Sequence, residues 1–497
     1  MGAAVHGISQ AACDQSCAAA SRAGERREEE RTEEAAGEAD VAEKEIMALQ
    51  AAIDRYHSLL TDEIAQESHA HLTHQLQTRG LTFGDRLLIN VLRPRLVEPQ
   101  QYRLLQERVR VLLGAFEKIY QRAMQDVEFR KKFALYDWEE RLIAVDPGFR
   151  EASPLSRLDA FIVHERGGLR FTEYNAETPA GASYNDVLSE ATLGMPIIRE
   201  FMRDYELRLL GTRHNVMHAL LDAYRQFSGQ SRQKPTIAIL DWKEVPTYSE
   251  FVLTRDYLLA QDIQCVIADP RNVEYRNGKL TAEGVTIDLI YKRVLINELI
   301  ERGGEDHPVV RAVRDRAVCM VNPFRCKLLH KKLSLAVLSD EHNHDMFSTG
   351  EIGCIQQHIP FTRRVTEMQT VFHGETIDLM PFVARNKDRF VLKPNDEYGG
   401  TGIVLGWEVN DQQWRQAVID AMNEPFIVQE RIQLPSEPYP VLVNGKVSVE
   451  PRIEDTAPFV FYGQFMDGIM SRLSTESLVN VTAGGGSSVA TFIVAAR

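Results

Sequence analysis

The sequence has few cysteines, no long apolar run and no excess of basic residues. Its six cysteines in 497 residues do not make the disulfide framework of a small secreted domain, and their spacings do not pair as zinc ligands do, so we expect reduced thiols. No uninterrupted apolar stretch approaches the length of a membrane-spanning helix. The formal net charge of −14 argues against non-specific nucleic-acid binding, because neutralising phosphates requires a basic face.

The beginning of the chain also lacks the patterns of export or lipidation. No basic region precedes an apolar stretch, and the Met-Gly start has neither Ser nor Thr at position 6 for myristoylation. We therefore predict a cytoplasmic protein with no membrane and no nucleic-acid partner. The length exceeds that of one typical domain.

Composition and periodicity change several times along the chain. Residues 1–45 are rich in Ala, Glu and Arg, which predicts a disordered acidic tail. Between residues 46 and 150, apolar residues recur every three or four positions, which predicts a helical region. After a helical stretch near 196–228, the segments "KPTIAILDW", "CVIADP" and "GVTIDLIYKRVL" alternate with helical patterns. This alternation predicts a small parallel α/β unit over 234–322.

The stretch "RLDAFIVHERGGLRFTEYNAET" is typical of a hairpin, yet it carries oxygen-bearing side chains near its open end. A three-residue turn at 166–168 would place Asp159 opposite Asn175. The same register would place Phe161 opposite Glu173, with all four side chains on one face. Two carboxylates this close repel unless a cation binds them, and Mg²⁺ prefers oxygen ligands. The alternative is a solvent-exposed strand end with ordinary polar residues.

A glycine-rich loop follows in "RFVLKPNDEYGGTGIVLG". A short strand leads to Lys393, and Gly399, Gly400 and Gly402 are free to adopt positive φ. Backbone amides of such a loop can hold phosphates and a lysine can neutralise one; a tight hairpin turn explains the pattern equally well. Downstream, "PFIVQERI" is a strand that ends in Gln429 and Glu430, which is either the edge of an adenine site or a buried strand with a polar end.

Together these stretches resemble the ATP-grasp ligases, in the order of the circularly permuted ATP-grasp proteins, a group that includes glutathionylspermidine synthetase-like ligases. ATP-grasp ligases usually carry the lysine and lid first, the adenine hinge next, and an Asp followed by Glu-x-Asn last. Here Asp159 and Glu173-Tyr174-Asn175 precede the lid by more than 200 residues. The segment "EYNAETPAG" is similar to the one that follows the metal motif in the permuted group. The resemblance covers residues from about 150 to 497.

The resemblance implies a role for each matching residue. Asp159, Glu173 and Asn175 match metal ligands, and Arg157 matches the arginine that stabilises the oxyanion and phosphoryl groups. The residues implied in ATP binding are Lys331, Lys393, Gly399, Gly400, Gly402, Gln429, Glu430 and Glu437.

Two of these ATP-binding matches depend on spacing. Glu437 lies seven residues beyond Glu430 and matches a ribose-binding glutamate. Lys331 matches a lysine that the family places early in a helix, although His330 stands where the family has Asp, and Lys327 and Lys332 are alternatives to it.

The implied fold is α+β: a circularly permuted ATP-grasp fold with an inserted Rossmann-like α/β subdomain and an N-terminal helical region. Its regions are the tail (1–45), the helical region (46–150), the metal-binding half (151–233), a pre-ATP-grasp-like subdomain (234–322), and the lid, hinge and remaining strands (323–497). The implied activity is ATP-dependent ligation of a small carboxylate to an amine, with ATP and Mg²⁺, through an acyl phosphate that releases ADP and phosphate. A non-catalytic nucleotide-binding module and a phosphotransferase are the alternatives.

Three further features remain open. "DEHNHD" at 340–345 is interpreted as a polar loop rather than a metal site, because His pairs without further ligands are weak signals. Arg452 and Arg472 either hold phosphate or substrate or have structural roles. The C-terminal "VTAGGGSSVATFIV" either closes a sheet near the site or merely connects two elements.

Overall fold

The structure is a computed structural model that describes residues 47–163, 168–229, 234–397, 399–476 and 486–497. The chain divides into two units, Met1–Arg55 and Tyr56–Arg497. In the first unit the described residues, 47–55, are helical, and the predicted tail at 1–45 lies outside the described residues. In the second unit the described residues form the sheets.

The predicted hairpin is present and lies at one edge of a seven-stranded antiparallel sheet. Its strands are Leu155–Val163 and Gly168–Asn175; Arg166 and Gly167 of the predicted turn lie outside the described residues. Beyond the first of these strands the sheet continues with Ala457–Phe461, Phe465–Ser474, Lys446–Glu454 and Ser436–Val443, and Gly486–Val489 also pairs with Phe465–Ser474.

A long helix supports one face of the hairpin. Helix Pro99–Gln125 begins with a capping box between Glu98 and Gln101, and its buried residues recur every three or four positions, as predicted. The ring centroid of Phe116 lies 4.6 Å from that of Tyr174 on the hairpin. Because successive side chains of a strand point to opposite faces, this packing leaves the other face of the hairpin open to a cavity.

Four parallel strands form a separate sheet, in the spatial order Cys319–Val321, Leu289–Lys292, Ile237–Leu240 and Cys265–Ala268. Three of them are the strands predicted from the alternating pattern. Asp241 and Arg293 each follow directly after one of the two central strands. Parallel strands all end at the same edge of a sheet, so both residues lie at this carboxyl edge.

A four-stranded antiparallel sheet, here called the glycine-loop sheet, carries the glycine-rich segment. Its strands are, in spatial order, Thr362–Arg364, Phe426–Glu430, Phe390–Pro394 and Val404–Leu405. Phe390, Leu392 and Trp414 lie in the apolar core on one side of this sheet. The pleat therefore turns the intervening side chain Val391 to the other side, where it lines the cavity.

The predicted helical stretch at 196–228 is interrupted by a strand. Helix Pro196–Phe201 ends before strand Tyr205–Leu209, and helix Arg213–Ser228 follows it. The strand pairs with Thr491–Ala496, near the end of the chain. A partner almost 300 residues away leaves no trace in local periodicity, which explains the wrong prediction.

The remaining elements complete the layers around these sheets. The other strands are Thr82–Phe83, Arg86–Leu87, Arg95–Val97, Glu274–Arg276, Lys279–Ala282, Val285–Thr286, Gln369–Phe372 and Glu375–Asp378. The other α-helices are residues 47–59, Asp62–Thr78, Val127–Arg130, Asp137–Ile143, Ala182–Leu193, Tyr248–Ala260, Ile296–Gly303, Pro308–Arg314, Lys327–His330, Leu333–Ser339, Thr349–His358, Leu379–Arg385 and Asp411–Ala421. Among the described residues, no helix combines the length and apolarity that a membrane crossing needs. The four described cysteines are free thiols.

Candidate functional site

A cavity of about 810 Å³ opens between the hairpin, the glycine-loop sheet and the carboxyl edge of the parallel sheet. Nine of the twelve predicted site residues line it: Arg157, Asp159, Glu173, Asn175, Lys393, Gly399, Gly400, Gln429 and Glu430. The other three, Lys331, Gly402 and Glu437, are not part of its wall. The residues come from three segments that are far apart in sequence, so the fold brings them together.

The predicted hairpin register is wrong by two residues. Asp159 pairs with Glu173, and Arg157 pairs with Asn175. A bulge follows Asp159, because Ala160 pairs with Phe171 and leaves Thr172 as the extra residue. A shift of two keeps each side chain on its face, so the predicted common face survives while the two carboxylates become direct cross-strand neighbours.

Asp159 is held by two guanidinium groups. Its Oδ1 accepts a hydrogen bond from Arg157 Nε at 3.0 Å, and its Oδ2 accepts one from Arg472 at 2.7 Å. Burial alone would raise the pKa of Asp159, but the two arginines outweigh it and hold the pKa well below the usual value. Arg472 in turn donates through Nε to Asp455 at 2.6 Å. Arg472 lines the cavity wall while paired with these two carboxylates.

Glu173 is held by lysine rather than arginine. The Nζ atom of Lys332 lies 3.1 Å from Glu173 Oε1 and donates to the backbone carbonyl of Glu397 at 2.6 Å. Burial opposes ionisation of Glu173, yet Lys332, and to a smaller extent Lys393, lower its pKa despite the nearby charge of Asp159. Lys332 therefore joins a hairpin carboxylate to the glycine-rich segment.

Lys331 lies elsewhere. Its Nζ atom is fully buried, 2.9 Å from Glu139 and 3.3 Å from Asp396. The helix predicted around it breaks at Lys331, whose ψ of 132° is extended. The break lets neighbouring lysines point into different surroundings, so of the three alternatives Lys332, not Lys331, approaches the hairpin carboxylates.

A buried ionic network backs the cavity at this point. The Nζ atom of Lys327 lies 2.6 Å from Asp396 and 3.1 Å from Glu177. His330 lines the cavity, 3.8 Å from Glu177, and burial lowers its pKa to about 4. Glu177, His330 and Asp396 are close enough to share a cation, but the lysine ammonium groups already neutralise both carboxylates. The network is therefore better suited to fixing the loop at Asp396 than to binding a metal.

Lys393 reaches the cavity from the glycine-loop sheet. Its Nζ atom donates to Gln429 Oε1 at 2.7 Å. Burial lowers the pKa of Lys393 to about 8, although the nearby charges of Glu173 and Asp159 favour its protonated form. A second, longer hydrogen bond runs from Lys393 Nζ to the backbone carbonyl of Thr172 at 3.5 Å. An ammonium has three donors, so this desolvated group keeps capacity for an anion.

The glycine-rich loop has the predicted backbone. Gly399, Gly400 and Gly402 have φ values of 65°, 81° and 71°. At Gly402, a Cβ would lie 2.7 Å from the ring of Pro394, so this residue shapes the loop rather than the wall. Tyr398 lies outside the described residues.

Of the residues predicted to contact the adenine and ribose, Gln429 and Glu430 line the cavity and Glu437 does not. Glu430 lines the wall, and its carboxylate lies 2.8 Å from His373 Nε2. Glu437, the predicted ribose-binding residue, does not contribute to the wall; its Oε2 lies 2.9 Å from a guanidinium nitrogen of Arg93. Strand Ser436–Val443, which contains Glu437, belongs to the seven-stranded sheet, whereas Glu430 ends a strand of the glycine-loop sheet.

Sequence reasoning left several residues of this region unassigned. The sequence offers Lys332 only as an alternative to Lys331, and it gives no role to His330 or Asp455. Asp455 follows a strand that pairs at long range, and no local motif marks it. Of the two arginines, Arg452 pairs with Glu450 at 2.6 Å and is not part of the cavity wall. In the surface cluster of Asp340, Glu341 and His342, the carboxylate of Glu341 already pairs with Arg363.

The C-terminal glycine-rich stretch meets the cavity through its described part. Strand Gly486–Val489 joins the seven-stranded sheet, and Ser488 lines the wall. Residues 481–485 lie outside the described residues. For the part that the structure describes, the stretch closes a sheet near the site.

Comparison with known proteins gives structural likenesses at low sequence identity. No family model and no curated protein matches the sequence. A glutathione synthetase-like effector from Globodera pallida is 13% identical with a TM-score of 0.57, over 87% of this chain and 98% of that chain. A candidate gamma-glutamylcysteine synthetase from Methylobacillus flagellatus is 12% identical with a TM-score of 0.40, over 81% of this chain and 90% of that chain. D-alanyl-alanine synthetase A from Vibrio cholerae is 12% identical with a TM-score of 0.24, over 46% of this chain and 68% of that chain. The first likeness shows that this chain has the fold of a glutathione synthetase-like protein.

Proposed function

We propose that the protein is an ATP-dependent ligase that joins a small carboxylate to an amine, with a circularly permuted ATP-grasp arrangement. In this proposal residues 151–233 and 323–497 are the two halves of the nucleotide site, and 234–322 is the inserted subdomain. The observation that carries it is the meeting of Asp159 and Glu173 with Lys393, Gly400 and Glu430 around one cavity. Metal ligands, a phosphate-binding loop and a hinge at one place are what ATP-dependent phosphoryl transfer needs.

The side chains of the hairpin fit a magnesium ion. Asp159, Glu173 and Asn175 offer hard oxygen donors on one face, and Mg²⁺ is commonly held by one or two carboxylates together with substrate phosphates. Both carboxylates are ionised, since cationic neighbours hold the pKa of each below its usual value. When bound, the metal neutralises phosphate charge and aligns the phosphates.

The other residues bind and orient ATP. Glu430 and Gln429 offer a polar edge to the base, and Val391 and Leu405 supply apolar wall beside them. The ammonium of Lys393 and the amides of the glycine-rich loop suit the phosphates. Arg157 already stands beside Asp159, and its planar guanidinium can fork onto the oxygens of the transferring group.

The reaction then proceeds in two displacements. A carboxylate oxygen of the first substrate attacks the γ-phosphorus, the bond to the bridging oxygen breaks, and ADP leaves. The amine nitrogen attacks the acyl carbon of the resulting acyl phosphate, phosphate leaves, and the amine loses a proton. Since the nucleophiles belong to the substrates, the protein contributes positioning and charge stabilisation.

The test is nucleotide consumption with pooled substrates. Purified full-length protein with Mg-ATP and a pool of small carboxylates and amines should release ADP and phosphate, and Arg157→Ala should abolish the release. Release of ADP that does not depend on amines would favour a phosphotransferase. Nucleotide binding without consumption in any pool would favour a non-catalytic nucleotide-binding module.

A further inference from the structure

The cavity extends beyond the hairpin to the carboxyl edge of the parallel sheet. Asp241, Arg293 and Glu298 are the charged wall residues at this end, which we call the far end. Tyr184 and Leu295 also line it. The residues assigned to nucleotide and metal lie on the hairpin and the glycine-loop sheet, so the far end remains for another part of a substrate.

Asp241 is a buried carboxylate with spare hydrogen-bonding capacity. It is 8% exposed, and its Oδ1 accepts a hydrogen bond from the backbone N–H of Trp242 at 2.8 Å. Within the described residues, no donor reaches Oδ2. A buried carboxylate costs free energy unless a cation or several donors satisfy it, so this oxygen is a ready acceptor for a ligand.

Glu298 adds a second negative charge at the same end. Its Oε2 accepts a hydrogen bond from the indole N–H of Trp242 at 2.8 Å, and over the described chain Oε1 has no donor. Arg302 stacks on the ring of Trp242, 4.2 Å from its centroid. The indole thus holds Glu298 in place without neutralising it.

Among the described wall residues, the far end has one cation, Arg293, and it is already neutralised. Arg293 lies 3.2 Å from Glu250, which is 1% exposed, and Glu250 also accepts a hydrogen bond from the backbone N–H of Gly181 at 2.7 Å. Lys292, behind the wall, is paired with Glu177 at 3.3 Å. The two carboxylates facing the cavity therefore leave the far end with an excess of negative charge. In accord with this, burial raises the pKa of Asp241 to about 6 despite the proximity of Arg293.

We propose that the far end binds a substrate ammonium group between Asp241 and Glu298. The ligand class is an aliphatic primary amine in its protonated form, because an ammonium supplies the three donors and the positive charge that the two carboxylates lack. Such a group can come from a diamine or from an α-amino acid. This inference rests on the proposed function, since it gives a substrate of that reaction its subsite. The ammonium of a diamine stays protonated there while the second amine attacks, whereas the ammonium of an amino acid must lose a proton before its own nitrogen attacks.

The test is calorimetric titration of the full-length protein with 1,4-diaminobutane and with glycine at pH 7.5, with 1,4-butanediol and acetate as probes that lack the ammonium. At least one ammonium probe should bind. Asp241→Asn and Glu298→Gln should each weaken it about tenfold or more, because each removes one charge-assisted hydrogen bond. Both amides still accept the existing Trp242 hydrogen bonds, so folding should be preserved. Glu301→Gln, an exposed residue on the same helix as Glu298, should change nothing.

Binding of diaminobutane without glycine identifies a diamine, and the reverse identifies an amino acid; either supports the subsite. The proposal is overturned if neither ammonium probe binds, if Asp241→Asn and Glu298→Gln both bind as the unmodified protein does, or if acetate binds better than both. A separate titration with Mg²⁺ and a non-hydrolysable ATP analogue distinguishes the two proposals. Loss of nucleotide binding with intact ammonium binding would contradict the ligase and leave the subsite standing.

Discussion

Asp159 and Asp241 are equally buried in two regions of the cavity wall, yet the pKa values of their carboxyl groups shift in opposite directions. Each is 8% exposed and lines the wall. Two guanidinium groups contact Asp159 and hold its pKa well below the usual value, whereas burial dominates at Asp241 and raises its pKa to about 6. The difference lies in the direct partners: Asp241 has a backbone amide, and the nearby Arg293 is committed to Glu250.

This contrast separates a region that is compensated in advance from one that awaits a cation. At the hairpin, carboxylates and cations already balance, so an incoming metal–phosphate pair can exchange partners with no net charge left buried. At the far end, the balance requires a ligand. A buried charge without a partner at a ligand site lowers the stability of the folded protein, which is a common cost of function.

The largest effect is expected at the hairpin. Glu173→Gln keeps the shape of the side chain but removes a charge that faces Lys332 and Asp159. Turnover with Mg-ATP should fall about 10³-fold, the usual scale for losing one preorganised electrostatic group. The measurement is ADP release at saturating Mg²⁺ with Glu301→Gln as control, and a loss of less than tenfold would remove Glu173 from the metal site.

Substitutions of the neighbouring residues Lys331 and Lys332 should distinguish a lysine that stabilises the fold from one that supports nucleotide binding. Lys331→Met leaves Glu139 and Asp396 short of a partner, so the free energy of unfolding should fall by about 3 kcal/mol. ATP affinity of the folded variant should stay within about threefold of the unmodified protein, because Lys331 pairs with Glu139 and Asp396, whereas Lys332 pairs with Glu173 of the hairpin.

Lys332→Met is the matched variant, and it should weaken Mg-ATP binding. Denaturant titration and nucleotide titration on both variants provide the measurements. Lys131→Met, at a 65% exposed side chain, should change stability by less than about 1 kcal/mol. Weaker ATP binding in Lys331→Met than in Lys332→Met would reverse our choice between the two lysines.

A smaller loss is expected at the glycine-loop sheet. Lys393→Met removes an ammonium that now has Gln429 as its close side-chain partner. ATP affinity should fall about 10- to 100-fold, the scale of one or two charge-assisted hydrogen bonds. Equilibrium titration with a fluorescent ATP analogue measures it. Unchanged affinity would reduce the glycine-rich loop to a tight turn.

The smallest effect is expected at Asp241, and it is a gain in stability rather than a loss. The folded-state pKa of Asp241 is about 6, above the ordinary aspartate value of 3.8, so the folded protein loses stability as pH rises between these two values. Asp241→Asn should therefore raise the free energy of unfolding by about 1–2 kcal/mol at pH 7.

The gain at Asp241→Asn should be small at pH 4, where the carboxyl is protonated in the folded state and only partly ionised in the unfolded state. Denaturant curves at pH 4 and pH 7 measure the difference. Equal changes at the two pH values would mean that Asp241 carries no buried-charge penalty.

Local patterns were enough to predict many elements, and together with the family resemblance they selected side chains most of which line one cavity. Alternation predicted the hairpin and three parallel strands, since the periods of strands and helices are properties of short segments. Residue type predicted which side chains could serve a metal or phosphate. Nine of the twelve candidates reached one cavity wall, because motifs such as Glu173-x-Asn175 keep their internal geometry wherever the strand lies.

Long-range pairing decided the rest. A bulge at Thr172 and the neighbouring strands set the hairpin register, and a strand from the end of the chain recruited Tyr205–Leu209. Lys331 pairs with Glu139 and Asp396 away from the hairpin, whereas Lys332 pairs with Glu173 of the hairpin.

The sequence by itself thus determined which chemical groups are available and which faces they share. The tertiary structure decided how most of these charges are compensated. Arg157 is a local partner of Asp159, but Arg472 reaches Asp159 from another strand, and Glu250 pairs with Arg293, the arginine near Asp241. Electrostatic free energy depends on distances of a few ångströms between residues that are hundreds of positions apart, and no local pattern encodes those distances.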